Sequence, residues 1–280
     1  MQSPRFAAIL LCLLSMIAPP ARTQTLGSPL SLDLLLDSLD ANILAYRRTV
    51  PNLLCTEKAQ STARMGTVVL SPNLMTPGGP ANAPHPSSSE VRQRTESIFR
   101  LRRVDEPTAL GLFDESRIVQ TVNGKKPADN ATLASPVLLF GVFSNGLNLV
   151  SKDGRACFSF RLHPPKGKQI VVDFRDLPSA QRGAECPPFA NTSGRIFVDP
   201  QSMHVARIEK RVPRQELVPG VFGPWDWTED YAPVTLLDKT FWMPKSIRSR
   251  GVSEDDAQEW TYEATYLDYH LFHADVRIVP

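Results

Sequence analysis

Much of what would announce a familiar chemistry is missing from this chain. Its four cysteines include no Cys-x-x-Cys pair, which removes zinc ribbons and thioredoxin-type redox centres. Gly-x-Ser-x-Gly is absent, so a serine hydrolase of the elbow type has no anchor. Neither Gly-x-Gly-x-x-Gly nor a Walker loop is there to cradle a nucleotide phosphate. Glycine is scarce beside proline, 15 against 25 in 280 residues, which favours strands with many corners over long helices. Charge of neither sign dominates: 31 basic residues stand against 29 acidic ones, whereas a nucleic-acid binder usually shows a basic surplus. The apolar run from Phe6 to Ile17 holds 12 residues, well short of the roughly 20 needed to cross a bilayer. With 42% apolar residues, the chain still has the material for a sizeable core.

That first apolar run reads as an address. Arg5 precedes it, and Ala18-Pro19-Pro20-Ala21 offers small residues for cleavage between Ala21 and Gln24. Residues 1–24 therefore read as a secretory signal, with an uncleaved membrane anchor as the alternative. Cys12 lies inside the apolar run behind Leu10-Leu11, which rules out a lipid anchor there. Losing Arg5 and Arg22 would bring the basic count from 31 to 29 and leave the mature chain formally neutral. Cys55, Cys157 and Cys186 remain, enough for one bridge and an odd thiol. Cys157 with Cys186 is the favoured pair, because both flank one predicted hairpin region; three buried free thiols are the alternative. In an exported protein a bridge closing that loop would contribute roughly 3–4 kcal/mol.

From Ser31 to Thr49, Leu32, Leu35, Leu36, Leu39, Ile43 and Tyr46 recur at three- and four-residue steps and predict a helix with one apolar stripe. Pro51 stops it. Cys55 to Leu70 suits a strand, and Ser71 to Ser88, with five prolines, suits a mobile loop without packed structure of its own. Val91 to Val104 resumes as a strand with Thr95, Ser97, Phe99 and Leu101 on one side and a row of arginines on the other. Arg117 to Val122 is a further strand ending at Asn123-Gly124, a type I′ turn signal. Val137 to Phe143 is apolar almost all round and reads as a short buried helix that breaks near Asn145-Gly146. Strands follow at Ala156 to Leu162 and Gln169 to Phe174. Gly194 to Val198, His204 to Val212, Phe241 to Ile247 and Trp260 to Tyr266 then predict a one-sided antiparallel sheet.

The order of these pieces, with Gly194-Arg195-Ile196-Phe197-Val198-Asp199-Pro200-Gln201-Ser202-Met203-His204-Val205-Ala206-Arg207-Ile208-Glu209 and the Phe241-Trp242-Met243-Pro244-Lys245-Ser246 hairpin, resembles the LolA-type superfamily of periplasmic lipoprotein carriers. Val50-Pro51-Asn52-Leu53-Leu54-Cys55 and Ala264-Thr265-Tyr266-Leu267-Asp268-Tyr269 are similar to exported bacterial proteins of unknown function. The resemblance implies an α+β fold: a curved antiparallel sheet, an unclosed half-barrel, wrapped around the amino-terminal helix and the short central helix. It implies one domain over 25–280, with no catalytic residues and no cofactor. Its expected partner is a hydrophobic small molecule or a lipoprotein acyl chain, met by a periplasmic or secreted monomer with transient contact at a membrane surface. The apolar cavity would be lined by Leu35, Leu39, Leu138, Leu139, Phe143, Trp227, Trp242 and Tyr262. A scaffold with a filled barrel and an unrecognised hydrolase are the competing readings.

Two remaining groups have bland explanations. His270 and His273 point to opposite faces of a strand and have no third ligand near them in sequence, so no metal site is expected. The aromatic cluster of the carboxyl third, Trp225, Trp227, Trp242 and Trp260 with Tyr231, Tyr262 and Tyr266, serves as core filling before it serves as a pocket.

Overall fold

Helix α1 (Leu32–Thr49) forms where the leucine stripe predicts it and buries Leu35, Leu36, Leu39 and Ile43. Each such side chain withdrawn from water contributes on the order of 2 kcal/mol. Asp33 in the first turn and Arg47 and Arg48 in the last oppose the helix dipole. The helix stops because Val50, which precedes Pro51, takes extended backbone at φ −60°, ψ 124°. Its last carbonyls are capped from the sheet: the Arg103 guanidinium donates to Arg47 O at 2.5 Å and Val50 O at 3.2 Å, and lies 5.0 Å over the Phe113 ring.

The computed structural model describes residues 30–65, 89–108, 111–127, 146–164, 168–184, 186–187, 189–218, 221–252 and 258–272. The expected leader, the proline-rich stretch 71–88, the expected central helix with Leu138, Leu139 and Phe143, and His273 lie outside the described residues. All the described residues except Leu30 fall in one unit, Ser31–Pro280.

Among the described residues eleven strands make one sheet: β1 (Leu53–Met65), β2 (Ser89–Thr108), β3 (Gly111–Val122), β4 (Phe158–Leu162), β5 (Ile170–Asp176), β6 (Ser193–Val198), β7 (Val205–Val212), β8 (Glu216–Val218), β9 (Val221–Leu236), β10 (Lys239–Val252) and β11 (Gln258–Leu271). Ten of them run in the order β3-β2-β1-β11-β10-β9-β7-β6-β5-β4, and the short β8 pairs with β9 off this path. Each ladder is antiparallel, and β3 and β4 end the row unpaired with one another. The fold is therefore an α+β curved sheet left unclosed. A 3₁₀ turn (Gly146–Val150) lies against α1, and the short helix α2 (Lys152–Arg155) follows it and touches both that turn and β4.

Turn chemistry explains the corners. Asn123 and Gly124 sit at φ 50° and 77°, the left-handed pair a type I′ turn requires. The β9–β10 hairpin uses Leu237 and Asp238 at φ 45° and 60° for the same geometry without a glycine. Pro244 is tolerated inside β10 because the register slips beside it, between Pro244 and Ser246. Cys157, at the foot of β4, is bonded to Cys186, which ties the irregular stretch after β5 back to the sheet.

Two faces follow from the period-two pattern. The outer one carries cross-strand pairs such as Arg207–Asp230, Arg211–Asp226, Arg161–Asp173 and Arg102–Asp114. Exposed pairs of this kind add little stability in water, and they account for the basic rows as a solvated sheet face. The inner face holds two apolar clusters. One joins α1 to Val172, Phe174, Ile196, Val198 and Ile208. The other fills the β1–β2–β3 and β10–β11 side with Phe99, Leu101, Phe113, Met243, Ile247, Tyr262 and Tyr266.

Candidate functional site

The inner face is not packed shut at the carboxyl half of α1. The turn Gly146–Val150 lies against the helix there, and a cavity opens on either side of it.

The first cavity, about 410 Å³, lies between α1 and β10. Leu39, Ile43 and Tyr46 supply the helix wall at i, i+4 and i+7 spacing; Leu147, Phe241 and Trp242 supply the rest. His204 stacks on Trp242 with ring centroids 5.3 Å apart and planes within 10°. Burial pulls the His204 imidazole below its usual value, with the Ser202 carbonyl and Asp199 acting the other way, so the ring joins the wall as a neutral aromatic. Asn42 pins this corner by donating to Met203 O at 2.6 Å. Of its polar lining residues, Thr49, Lys239 and Thr240 are exposed and Asn42 is half-buried, while the Tyr46 hydroxyl is buried without a hydrogen-bond partner among the described residues.

The second cavity, about 460 Å³, lies on the opposite side of the turn. Its floor is built by period two on adjacent strands: Ile208 and Lys210 of β7 face Glu229 and Trp227 of β9 in register. Glu229 is 1% exposed. Burial raises its carboxyl to about 8, against the pull of Tyr231, Trp227 and Lys210 toward the charged form. The Tyr231 hydroxyl donates to Oε2, whereas Oε1 has no hydrogen-bond partner. Trp227 favours the carboxylate without reaching hydrogen-bond geometry with that oxygen. A Cβ on Gly146 would sit 1.8 Å from Oε2, so only glycine lets the chain pass over this carboxylate.

A third polar cluster is closed. Glu57 of β1 accepts two bonds from Arg117, at 2.7 and 2.9 Å, and one each from the Tyr262 and Tyr266 hydroxyls at 3.0 Å. Cys55 beside it is the free thiol among the described residues; burial pushes it far above its usual value, which leaves an inert side chain where a nucleophile would need a thiolate. Among the described residues no group of three His, Cys, Asp or Glu side chains could hold a metal ion.

Of the residues expected to line an apolar cavity, Leu39 and Trp242 share the first one. Trp227 lines the second. Leu35 is fully buried on the inward side of α1 and Tyr262 belongs to the Glu57 cluster, and neither is among the residues that line the two cavities. Cys157 and Cys186 form a disulfide, and Cys157 reaches the edge of the second cavity.

Ile43, Tyr46, Leu147, Lys210 and Glu229 were not among the expected lining residues. For Lys210 and Glu229 a signal exists in the sequence: each occupies the inward phase of an alternating strand, Lys210 between Ile208 and Val212, Glu229 between Trp227 and Tyr231.

No protein family matches the chain, and no curated protein matches it. Among solved structures, the complex of MucA and MucB from Pseudomonas aeruginosa is similar at 10% identity over 86% of this chain and 99% of that one, with a TM-score of 0.21. A structure of MucB in complex with MucA(peri) is similar at 10% identity over 87% and 100%, with a TM-score of 0.20. Likeness at that level carries no argument about this chain.

Proposed function

We propose that the protein is an exported envelope component of LolA type that binds a hydrophobic molecule, a lipid or the acyl chain of an acylated protein, without chemical turnover. The single observation behind this reading is the cavity between α1 and β10, whose lining gathers Leu39, Ile43, Leu147, Phe241 and Trp242. Its volume of about 410 Å³ falls in the usual range for small-molecule sites, roughly 300–1,000 Å³. Apolar burial at about 25 cal/mol per Å² supplies the affinity, and Trp242, stacked on His204, offers a flat face to an extended chain. Export is supported by the amino-terminal leader and by a disulfide, which persists in oxidising compartments. The protein acts as a monomer and meets a membrane surface only in passing.

Gentle purification, solvent extraction and mass spectrometry test the reading. A lipid-class molecule recovered at near-stoichiometric amount is the expected result. A crosslinked protein partner with no extracted lipid would replace it with the scaffold reading.

A further inference from the structure

We propose that the cavity floored by β7 and β9 is a separate binding site for a small zwitterion, a ligand carrying a primary amine and an anionic group a few bonds apart. A buried carboxyl and an ammonium both line this cavity without pairing with each other. Glu229 presents Oε1, buried and without a hydrogen-bond partner. Lys210 makes no ion pair among the described residues; its ammonium lies 5.7 Å from the centre of the Trp227 ring.

The register explains why they stay apart. Lys210 is directly opposite Trp227 and Ile208 directly opposite Glu229, so the ammonium and the carboxyl sit on diagonal neighbours, about 7–8 Å between backbones. A buried acceptor left unpaired costs free energy, and a ligand amine on Oε1 removes that cost. An anionic group at the other end of the ligand then meets Lys210, with Arg47 on the facing wall. Arg47 is held in place by its bond to the Asn148 side chain. Gly146 belongs to the same design: any larger residue would occupy the space of the carboxylate.

The ligand amine brings a proton-linked signature. The groups around Glu229 are Lys210 of β7, Tyr231 and Trp227 of its own strand, Tyr46 and Arg47 of α1, Asp153 of α2 and Glu115 of β3. Burial dominates and holds the carboxyl protonated near neutrality, so an ammonium seated on Oε1 releases that proton.

This site stands apart from the apolar cavity, and either can fail without the other. The test is calorimetric titration of the full chain with O-phosphoethanolamine and with glycine, and with ethanolamine and inorganic phosphate as single-group probes. One zwitterion is expected to bind saturably, about tenfold or more tighter than either single-group probe, with proton release at pH 7. Tighter binding of the phosphate ester assigns a headgroup-like source, and tighter binding of glycine an amino acid. Glu229→Gln and Lys210→Met should each weaken binding about tenfold. Lys210 is only partly buried, so K210M keeps the test open if E229Q fails to fold. Absence of saturable binding by both zwitterions, equal binding of inorganic phosphate alone, binding without proton release, or unchanged affinity in the variants would overturn the assignment.

Discussion

Glu57 on β1 and Arg117 on β3 join through two N–H···O bonds although β2 runs between them. The strand they cross makes room: Ser97, opposite Glu57, is small, and Phe99, opposite Arg117, lies 4.9 Å beneath the guanidinium as a flat support. The arginine is 5% exposed and the glutamate 1%, so each charge depends on the other. Arg117→Met should cost about 3–5 kcal/mol in urea unfolding, because it strands a buried carboxylate. A loss below about 1 kcal/mol would mean that the two tyrosine hydroxyls suffice for Glu57.

Glu229 gives stability a pH dependence of definite sign. Its folded value, about 8, lies above the usual 4.5, so between these limits the folded state holds a proton that the unfolded chain gives up. Its contribution is fully present below about 4.5 and is lost as pH rises toward 8. The unfolding free energy of E229Q relative to the wild type should therefore increase steadily across that window. A difference that stays flat with pH would show that Glu229 ionises normally.

Gly146→Ala places a methyl group where a buried carboxylate oxygen already sits. The expected penalty is about 1–3 kcal/mol, read as a lower melting temperature. In the double variant with Glu229→Ala the closest clash is gone and the penalty should shrink, the remainder reporting the Tyr231 hydroxyl, which would stand 2.5 Å from the same Cβ.

The Cys157–Cys186 bridge closes a loop with a sequence separation of 29. Reduction should lower stability by about 3 kcal/mol, and the double alanine variant should be equally unstable but indifferent to reductant. A wild type whose urea midpoint ignores reductant would contradict this.

What the sequence could and could not disclose follows from range. The helix was legible because Leu35, Leu39 and Ile43 repeat within one element, and the strands because alternation is local. The pairing of β1 with β11, which sets Glu57 opposite Tyr266, joins residues far apart in the chain, and no local pattern encodes it. The cavities are further removed still, since they arise from how Gly146–Val150 lies against α1. Lys210 and Glu229 were readable in principle from strand phase. They are easily passed over because a charged residue in an alternating run is taken for a solvated one, and here tertiary placement overrides that habit.

The most direct test of the hydrophobic-binder account is titration of a fluorescent fatty acid into the wild type and into Ala45→Trp. Ala45 is exposed on α1 yet lines the apolar cavity, so a tryptophan there can fill the space without disturbing the buried stripe. The account predicts saturable binding to the wild type that falls about tenfold or more in the variant, with an unchanged melting temperature. Equal binding by both proteins, or none by the wild type, would contradict it.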